Sequence, residues 1–414
     1  MKPIYETVSV IGLGYIGLPT AAVLASRGIS VIGVDVNEKA VEAIRRGQIH
    51  IVEPDLGTLV SGAVATGKLR ATYKPEPAEV FIITVPTPFT DGHKPDISYV
   101  RAAAEAIAPV LAKGNLVILE STSPVGTTEQ AAGWLAALRP DLSFPPTAGE
   151  KADISMAYSP ERVLPGRILT ELVQNDRVVG GLTPRCAERA AALYRGVIDG
   201  ECFLTTARTA ELVKLTENAF RDVNIAFANE LSLIAEKLDL DVWEVIALAN
   251  RHPRVNILKP GPGVGGHCIA VDPWFIVDSA PEESPLIRTA RTVNDGKPHH
   301  VAKAVLAAAK RIAAPRVVCL GLSYKPDIDD LRESPSVEIV RELAGHIQDL
   351  AVVEPHVREL PKALAGLGIT LKDLDAALTG ADIVVLLTDH QPFRALDRQR
   401  LAGKTVIDTR GIWR

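Results

Sequence analysis

The sequence predicts an α/β protein in three parts: two regions where short apolar strands alternate with helices, and a long helical stretch between them. Three observations predict it. Val8-Ser-Val-Ile-Gly12-Leu-Gly14-Tyr15-Ile16-Gly17 is an apolar strand running into G-x-G-x-x-G and then a helix. Between Glu201 and His252 there is neither glycine nor proline, in a chain that holds 31 and 29 of them. From about Ala314 strand-like runs return, beginning with Arg316-Val-Val-Cys-Leu-Gly321.

Residues 1–200 are read as a dinucleotide-binding Rossmann domain. Gly12 makes the tight turn, Gly14 lets a pyrophosphate approach the backbone, and Gly17 lets helix pack on strand. Tyr15 and Ile16 lead into the helix N-terminus, which faces the anion. A second strand, Val31-Ile-Gly-Val-Asp35, ends in an acid 21 residues after Gly14. Its carboxylate accepts the ribose hydroxyls and repels a 2′-phosphate, which predicts NAD as the cofactor. Val80–Val85 and Leu116–Leu119 read as buried parallel strands. Their exits, Pro86-Thr87-Pro88 and Glu120 to Gly126, lie where open α/β sheets bind ligands. Thr87, Thr122 and Thr128 are therefore candidates to touch the cofactor, although turn and cap chemistry accounts for them equally well.

Residues 201–310 are read as a central helical domain, with a break at Leu238–Asp241. Lys214, Asn218 and Arg221 are spaced by four and three and share one face. A solvated polar face explains such a spacing too. The apolar neighbours Leu212, Val213, Leu215, Ala219, Phe220, Ile225 and Phe227 predict instead a substantially buried helix, where a lysine needs a reason to be present. A long apolar helix also suits a homodimer interface. Further on, Gly261-Pro-Gly-Val-Gly-Gly-His-Cys268 holds four glycines in six positions, letting backbone approach backbone or ligand. A thiol on such a loop is accessible, and Asp272, four residues on, can hold a water or a proton. The plainer reading is a glycine-rich turn that ends in cysteine. His267 is read as structural, because adjacent side chains point apart. Cys319, inside an apolar strand, is read as a buried structural cysteine.

Residues 311–414 continue through Leu350–Val353, Ile383–Leu387 and Thr405–Ile407 without a second glycine fingerprint. The loops carry Tyr324-Lys325, Arg332 and Arg410. Three cations there suit a diphosphate, and solvated surface charge explains any one of them.

With 45 basic and 50 acidic residues the net charge is −5, which argues against a nucleic-acid or membrane-surface partner. No stretch approaches the ~18 apolar residues of a membrane helix. The first strand begins near Thr7 and leaves no room for a secretory signal. Cysteines 186, 202, 268 and 319 form neither C-x-x-C pairs nor a dense framework, so no metal and no disulfide is expected, and a cytoplasmic location is.

Taken in order, these motifs resemble the nucleotide-sugar 6-dehydrogenases, the UDP-glucose/GDP-mannose dehydrogenase family. The resemblance covers essentially the whole chain. Besides the N-terminal fingerprint it rests on Glu53-Pro-Asp-Leu56, Ser121-Thr-Ser-Pro-Val-Gly126, Ser159-Pro-Glu161, Lys214-Leu-Thr-Glu-Asn218, Gly265-Gly-His-Cys268 with Asp272, and Asp330-Leu-Arg-Glu-Ser-Pro335. Within the family the chain is most similar to the branch acting on UDP-N-acetyl-D-mannosamine. That similarity rests on Ile49-His-Ile-Val-Glu-Pro-Asp55, Pro160-Glu-Arg-Val-Leu-Pro-Gly166, Asn250-Arg-His-Pro-Arg-Val-Asn256 and Gly411-Ile-Trp-Arg414. Arg162 and Pro165 depart from the UDP-glucose pattern in a loop that, by resemblance, lies over the sugar.

The resemblance implies oxidation of a C6 alcohol to a carboxylate with two NAD and one water, serving surface polysaccharide synthesis. It implies that Cys268 adds to the intermediate aldehyde, and that the thiohemiacetal becomes a thioester. Lys214 would stabilise the alkoxide and oxyanions and Asn218 would bond the same oxygen. Glu161 would be the base for thioester hydrolysis, with Thr122 and Asp272 handling water. Substrate contacts would come from Arg162, Val163, Lys214, Asn218, Arg221, His252, Arg254, Gly265, Tyr324, Lys325 and Arg410, with Arg254 reaching in from either subunit. Arg332 would close over the cofactor. Alternative substrates are UDP-N-acetyl-D-glucosamine and UDP-glucose. Alternative proteins are a β-hydroxyacid dehydrogenase of the 6-phosphogluconate type, which needs neither Cys268 nor the last domain, and a non-catalytic NAD-binding regulator.

Overall fold

Two compact units divide the chain, Met1–Thr216 and Glu217–Arg414. The structure is a computed structural model and describes residues 4–413 apart from 91, 165 and 267. Pro165 and His267, both singled out by the sequence, thus lie outside the described residues.

The first unit is built on eight strands: β1 (Thr7–Ile11), β2 (Ser30–Val34), β3 (Leu69–Thr72), β4 (Val80–Ile83), β5 (Leu116–Leu119), β6 (Ser155–Tyr158), β7 (Arg177–Gly181) and β8 (Cys202–Thr206). They form one sheet in the order β3-β2-β1-β4-β5-β6-β7-β8. Every neighbouring pair is parallel except β6 with β7. Strands β4, β5 and β6 are buried along their whole length, because helices cover both faces, and this is why they read as unbroken apolar runs. One core cluster gathers Val10, Leu18, Leu24 and Val80, and the other gathers Ile11, Phe81, Ile83 and Phe144. The strand order reverses between β1 and β4, and the carboxyl ends of those strands flank the switch point where such sheets bind nucleotides.

At that point the helix Gly17–Ser26 packs directly on the turn before it. A Cβ on Gly17 would lie 1.8 Å from the Gly12 carbonyl oxygen and 2.4 Å from Thr84 Oγ1. Thr84 cannot yield, since its hydroxyl donates to the Gly12 carbonyl at 2.7 Å.

The helix Ala207–Lys237 ends where the sequence places a break, and Val242–Ala249 follows, capped by Asp241, which accepts from Trp243 N–H at 2.9 Å. The expectation of a substantially buried helix needs correction. Lys214, Leu215 and Ala219 are buried, but Leu212, Phe220 and Phe227 are 45 %, 68 % and 53 % exposed. Ile234 and Leu238, also exposed, continue the series at helical spacing, so these side chains form one apolar stripe. An apolar composition all round a helix does not reveal which face its own chain will cover.

In the second unit, β9 (Arg316–Leu320), β10 (Asp349–Val353), β11 (Thr370–Leu371), β12 (Ile383–Leu386) and β13 (Thr405–Asp408) form a parallel sheet in the order β11-β10-β9-β12-β13. The helices Asp272–Ser279, Pro285–Ala309 and Pro335–Ala344 follow one another in contact. Arg291, 1 % exposed, donates to Asp222 at 2.5 Å, and Asn294 donates to the same oxygen at 2.8 Å. No helix among the described residues is long and apolar enough to cross a membrane.

Gly17→Ala should destabilise the protein by about 3 kcal/mol, at the upper end of overpacking costs, because helix and turn must separate. Gly14→Ala, whose Cβ would meet no protein atom within 4 Å, should leave stability unchanged and weaken NAD binding. Urea unfolding and NAD titration of the two variants check both halves.

Candidate functional site

In the first unit the glycine fingerprint is tied to the acid that follows it. Asp35 accepts Leu13 N–H at 2.7 Å through one oxygen and Asn37 N–H at 2.8 Å through the other. Gly12 has φ +95°, a conformation that side chains resist. Gly14 is exposed, with Tyr15 and Ile16 half-buried beside it at the start of the helix. An open glycine, helix N–H groups aimed at an anion and a carboxylate for a ribose fit a dinucleotide such as NAD.

The strand exits beside this cradle are cross-braced. Thr87 Oγ1 donates to the Thr122 carbonyl at 2.6 Å, linking the ends of β4 and β5. Thr128 is buried, and both its N–H and its hydroxyl donate to one oxygen of Glu211, at 2.8 and 2.7 Å. Gly126 N–H takes the other oxygen at 2.6 Å. Glu211 thereby pins the N-terminus of the helix Thr127–Leu138 to the long helix. Burial pushes its carboxyl up, and these donors hold it back only in part. The sequence reading missed Glu211, although an acid inside Ala210-Glu-Leu-Val is an anomaly of the kind that marks a buried partner.

The loop after β6 is gripped from two sides. Glu161 accepts its neighbour Arg162 N–H at 2.8 Å and an N–H of Arg177. Glu53 accepts Gly166 N–H at 2.9 Å and Ile168 N–H at 2.7 Å. Arg162 donates to the Asp176 carbonyl, and Val163 packs on the first core cluster. Lys214, 9 % exposed, also belongs to this unit.

The second unit assembles the thiol loop. Asp272 is 2 % exposed at the first position of its helix, where the macrodipole favours a carboxylate. It accepts Asn218 Nδ2–H at 2.5 Å. The N–H groups of Val271 and Asp272 both donate to the Cys268 carbonyl, at 3.0 and 2.8 Å, leaving the half-buried Cys268 on a tight turn.

The glycines before it are required by packing. A Cβ on Gly265 would lie 2.4 Å from the Glu333 carbonyl oxygen, and one on Gly266 2.8 Å from the Tyr324 ring. Gly266 N–H donates to the Arg332 carbonyl at 3.2 Å. Gly261 N–H donates to Asn229 Oδ1 at 2.9 Å, and its Cα faces Arg410 Nη1 closely enough that a Cβ would lie 2.6 Å away. Cys268, Asp272, Asn218, Gly265, Tyr324, Arg332 and Arg410 are thus brought into one connected neighbourhood.

Arg332 is held by Asp330 at 2.7 Å and Arg410 by Asp389 at 2.9 Å, while the Lys325 carbonyl accepts Ser323 Oγ–H at 2.7 Å. Arg221, His252 and Arg254 are exposed, and among the described residues no hydrogen bond joins them to the thiol loop.

His390, fully buried, was not anticipated. Its Nε2–H donates to Glu354 at 3.0 Å and its Nδ1 accepts Asp327 N–H at 2.9 Å, so both ring nitrogens are committed to holding the 322–327 loop on the strand ends. Glu354 also accepts Leu322 N–H at 2.7 Å, repeating the relation of Asp35 to Leu13. Burial alone would raise the Glu354 carboxyl, but His390 and the backbone donors outweigh it and hold it below the usual range.

Three successive matches cover this chain: residues 6–198 to the NAD binding domain, 208–296 to the central domain and 318–414 to the UDP binding domain of one family. The chain belongs to the UDP-glucose/GDP-mannose dehydrogenase family. It is 63 % identical over 410 residues to an NDP-N-acetyl-D-galactosaminuronic acid dehydrogenase of Ralstonia nicotianae, covering 99 % of this chain and 96 % of that one. It is 60 % identical over 419 residues to a UDP-N-acetyl-D-mannosamine dehydrogenase of Salmonella typhi, covering 99 % and 100 %. Among solved structures, a UDP-D-ManNAc dehydrogenase from Pyrococcus horikoshii superposes with a TM-score of 0.90 at 40 % identity, over 98 % and 96 % of the two chains.

The cysteines should differ sharply in reactivity. Burial pushes the Cys319 thiol up to about 12 and raises that of Cys202. Brief iodoacetamide treatment of the native protein at neutral pH should modify Cys268 first, Cys202 slowly, and the buried Cys186 and Cys319 not at all. Peptide mass spectrometry reads the order.

Proposed function

We propose that this chain oxidises C6 of UDP-N-acetyl-D-mannosamine to the uronic acid, as a cytoplasmic homodimer supplying a surface polysaccharide. The observation that carries the reading is a half-buried cysteine on a glycine-packed turn, beside an Asn218–Asp272 pair, in a chain with an NAD binding and a UDP binding domain. NAD supplies the two-electron acceptor for each of two oxidations. An aldehyde has no second hydride to give until a nucleophile makes its carbon tetrahedral, and Cys268 is that nucleophile.

Lys214 stabilises negative charge on the reacting oxygen, with Asn218 donating to it. Burial of Lys214 supports this, since a buried cation needs an anionic counterpart. Glu161 accepts the proton of the hydrolytic water, with Thr122 and Asp272 ordering it. Gly12, Gly14 to Gly17, Asp35, Thr87, Thr128 and Arg332 serve the cofactor. Arg162, Val163, Arg221, His252, Arg254, Gly265, Tyr324, Lys325 and Arg410 serve the UDP-sugar. Domains at 1–200, 201–310 and 311–414 divide these tasks, the middle one carrying the dimer contact.

The 63 % identical relative favours a second reading, the same oxidation on an N-acetyl-D-galactosamine nucleotide. Both are 2-acetamido hexoses that differ in the direction of single bonds. Comparing kcat/KM for UDP-linked N-acetylmannosamine, N-acetylgalactosamine, N-acetylglucosamine and glucose should place N-acetylmannosamine first. A preference for glucose removes the proposal.

Cys268→Ser should lower uronic acid formation by at least about a thousandfold, because a hydroxyl is hardly ionised at neutral pH, with NAD and UDP-sugar affinities little changed. A variant that still makes the acid near the wild-type rate would show that the thiol is not the nucleophile.

The exposed stripe Leu212, Phe220, Phe227, Ile234 and Leu238 supports the dimer, since a monomer would leave it in water. Light scattering should give twice 44.3 kDa, and Phe220→Glu with Phe227→Glu should give single chains.

A further inference from the structure

A buried arginine in the first unit serves two carboxylates, and only Glu161 has a role so far. The Arg177 side chain begins β7 and is 4 % exposed. One terminal nitrogen donates to Glu120 Oε1 at 3.2 Å and the other to Glu161 Oε2. Its guanidinium lies 4.2 Å over the Tyr194 ring, and the Tyr194 hydroxyl donates to the same Glu120 oxygen at 2.6 Å. Glu120, at the exit of β5, has a wholly buried side chain, and that of Glu161 is 7 % exposed.

Two ionised carboxylates on one guanidinium would leave a buried net charge, which is costly. Glu120 Oε2 has no hydrogen-bond partner among the described residues, which disfavours its ionised form. Burial pushes the Glu120 carboxyl up despite Arg177. Burial also works against the charge of Arg177, but Glu161 and Glu120 outweigh it and keep the guanidinium protonated. The neighbouring titratable groups, Tyr194 and Cys202, are both pushed up by burial and stay neutral. The charge of Arg177 is therefore directed chiefly at Glu161.

We infer that Arg177, anchored from behind by Glu120 and Tyr194, is the positioning residue that holds the Glu161 carboxylate oriented for thioester hydrolysis. The inference rests on the proposed role of Glu161 as base. In that step the water oxygen bonds to the thioester carbon and the water proton passes to Glu161. The C–S bond breaks with its electron pair on the sulfur of Cys268, and Glu161 returns the proton to solvent. Without the guanidinium, Glu161 loses the donor that fixes the direction of its carboxylate and meets the water in a productive geometry less often.

Two variants test it. Arg177→Gln combined with Glu120→Gln removes the guanidinium and the acid that anchors it, and a melting curve checks that the variant folds. The KM values for NAD and UDP-sugar should stay within about twofold of the wild type. The kcat should fall roughly 10- to 100-fold, with thioester accumulating on the Cys268 peptide after acid quench. Both equivalents of NADH should still appear as a burst, since both oxidations precede hydrolysis. Arg177→Lys keeps the charge and loses the fork that spans Glu120 and Glu161, so it should restore kcat only in part.

A kcat near the wild-type value in the double variant, with only the melting temperature lowered, overturns the inference and leaves a structural ion pair. Glu161→Gln separates the two claims. If it stalls as thioester while the Arg177 variants do not, the positioning role alone falls. If it forms the acid at the wild-type rate, the base assignment falls and the inference with it.

Discussion

Close approach of backbone to backbone, possible only where Cβ is missing, is the constraint on which the rest of this structure depends. At Gly17 it seats the first helix against the Gly12 carbonyl, which puts the helix N-terminus at the switch point of the larger sheet. At Gly265 it lets the loop before Cys268 lie on the Glu333 carbonyl. One contact shapes the dinucleotide cradle and the other delivers the thiol. In both places a single methyl group would force main chain apart, which no rotamer change can relieve.

Buried charge is handled by a few hydrogen-bonded networks. Glu211 ties the turn at Gly126 and Thr128 to the long helix, and Glu53 ties down the loop that carries Glu161 and Arg162. Arg291 with Asp222 and Asn294 holds the long helix to Pro285–Ala309, and through Asn229 this network reaches the first residue of the glycine loop. Breaking one member of such a network leaves a desolvated polar group behind, so these residues constrain geometry more than they add net stability.

The smaller sheet repeats the logic of the larger one with different chemistry. In each, an acid at the end of the second strand accepts the N–H of the residue following the first strand's turn glycine, Asp35 for Leu13 and Glu354 for Leu322. In both, the other carboxylate oxygen braces the N–H two residues on, that of Asn37 or His356. In the second the acid is capped by His390, which fastens the 322–327 loop. A histidine strut in that place suits a domain whose loops carry Tyr324, Lys325 and Arg410 instead of a glycine fingerprint.

The sequence by itself determined the strands at both ends, the helix break at Leu238–Asp241 and the cofactor class. These follow from local periodicity and from glycines whose spacing leaves few alternatives. It also singled out Cys268, Asp272 and Asn218, because unusual residue types stood in unusual settings. Only the tertiary structure decided that Leu212, Phe220 and Phe227 form an exposed stripe, since which face of an apolar helix is covered depends on distant elements. Only it joined Glu120, Arg177, Tyr194 and Glu161, which are separated by up to 74 residues and come from a strand, a helix and two loops. Pairings of that kind carry no periodic signature. They arise because buried charges must find partners wherever the folded chain brings them.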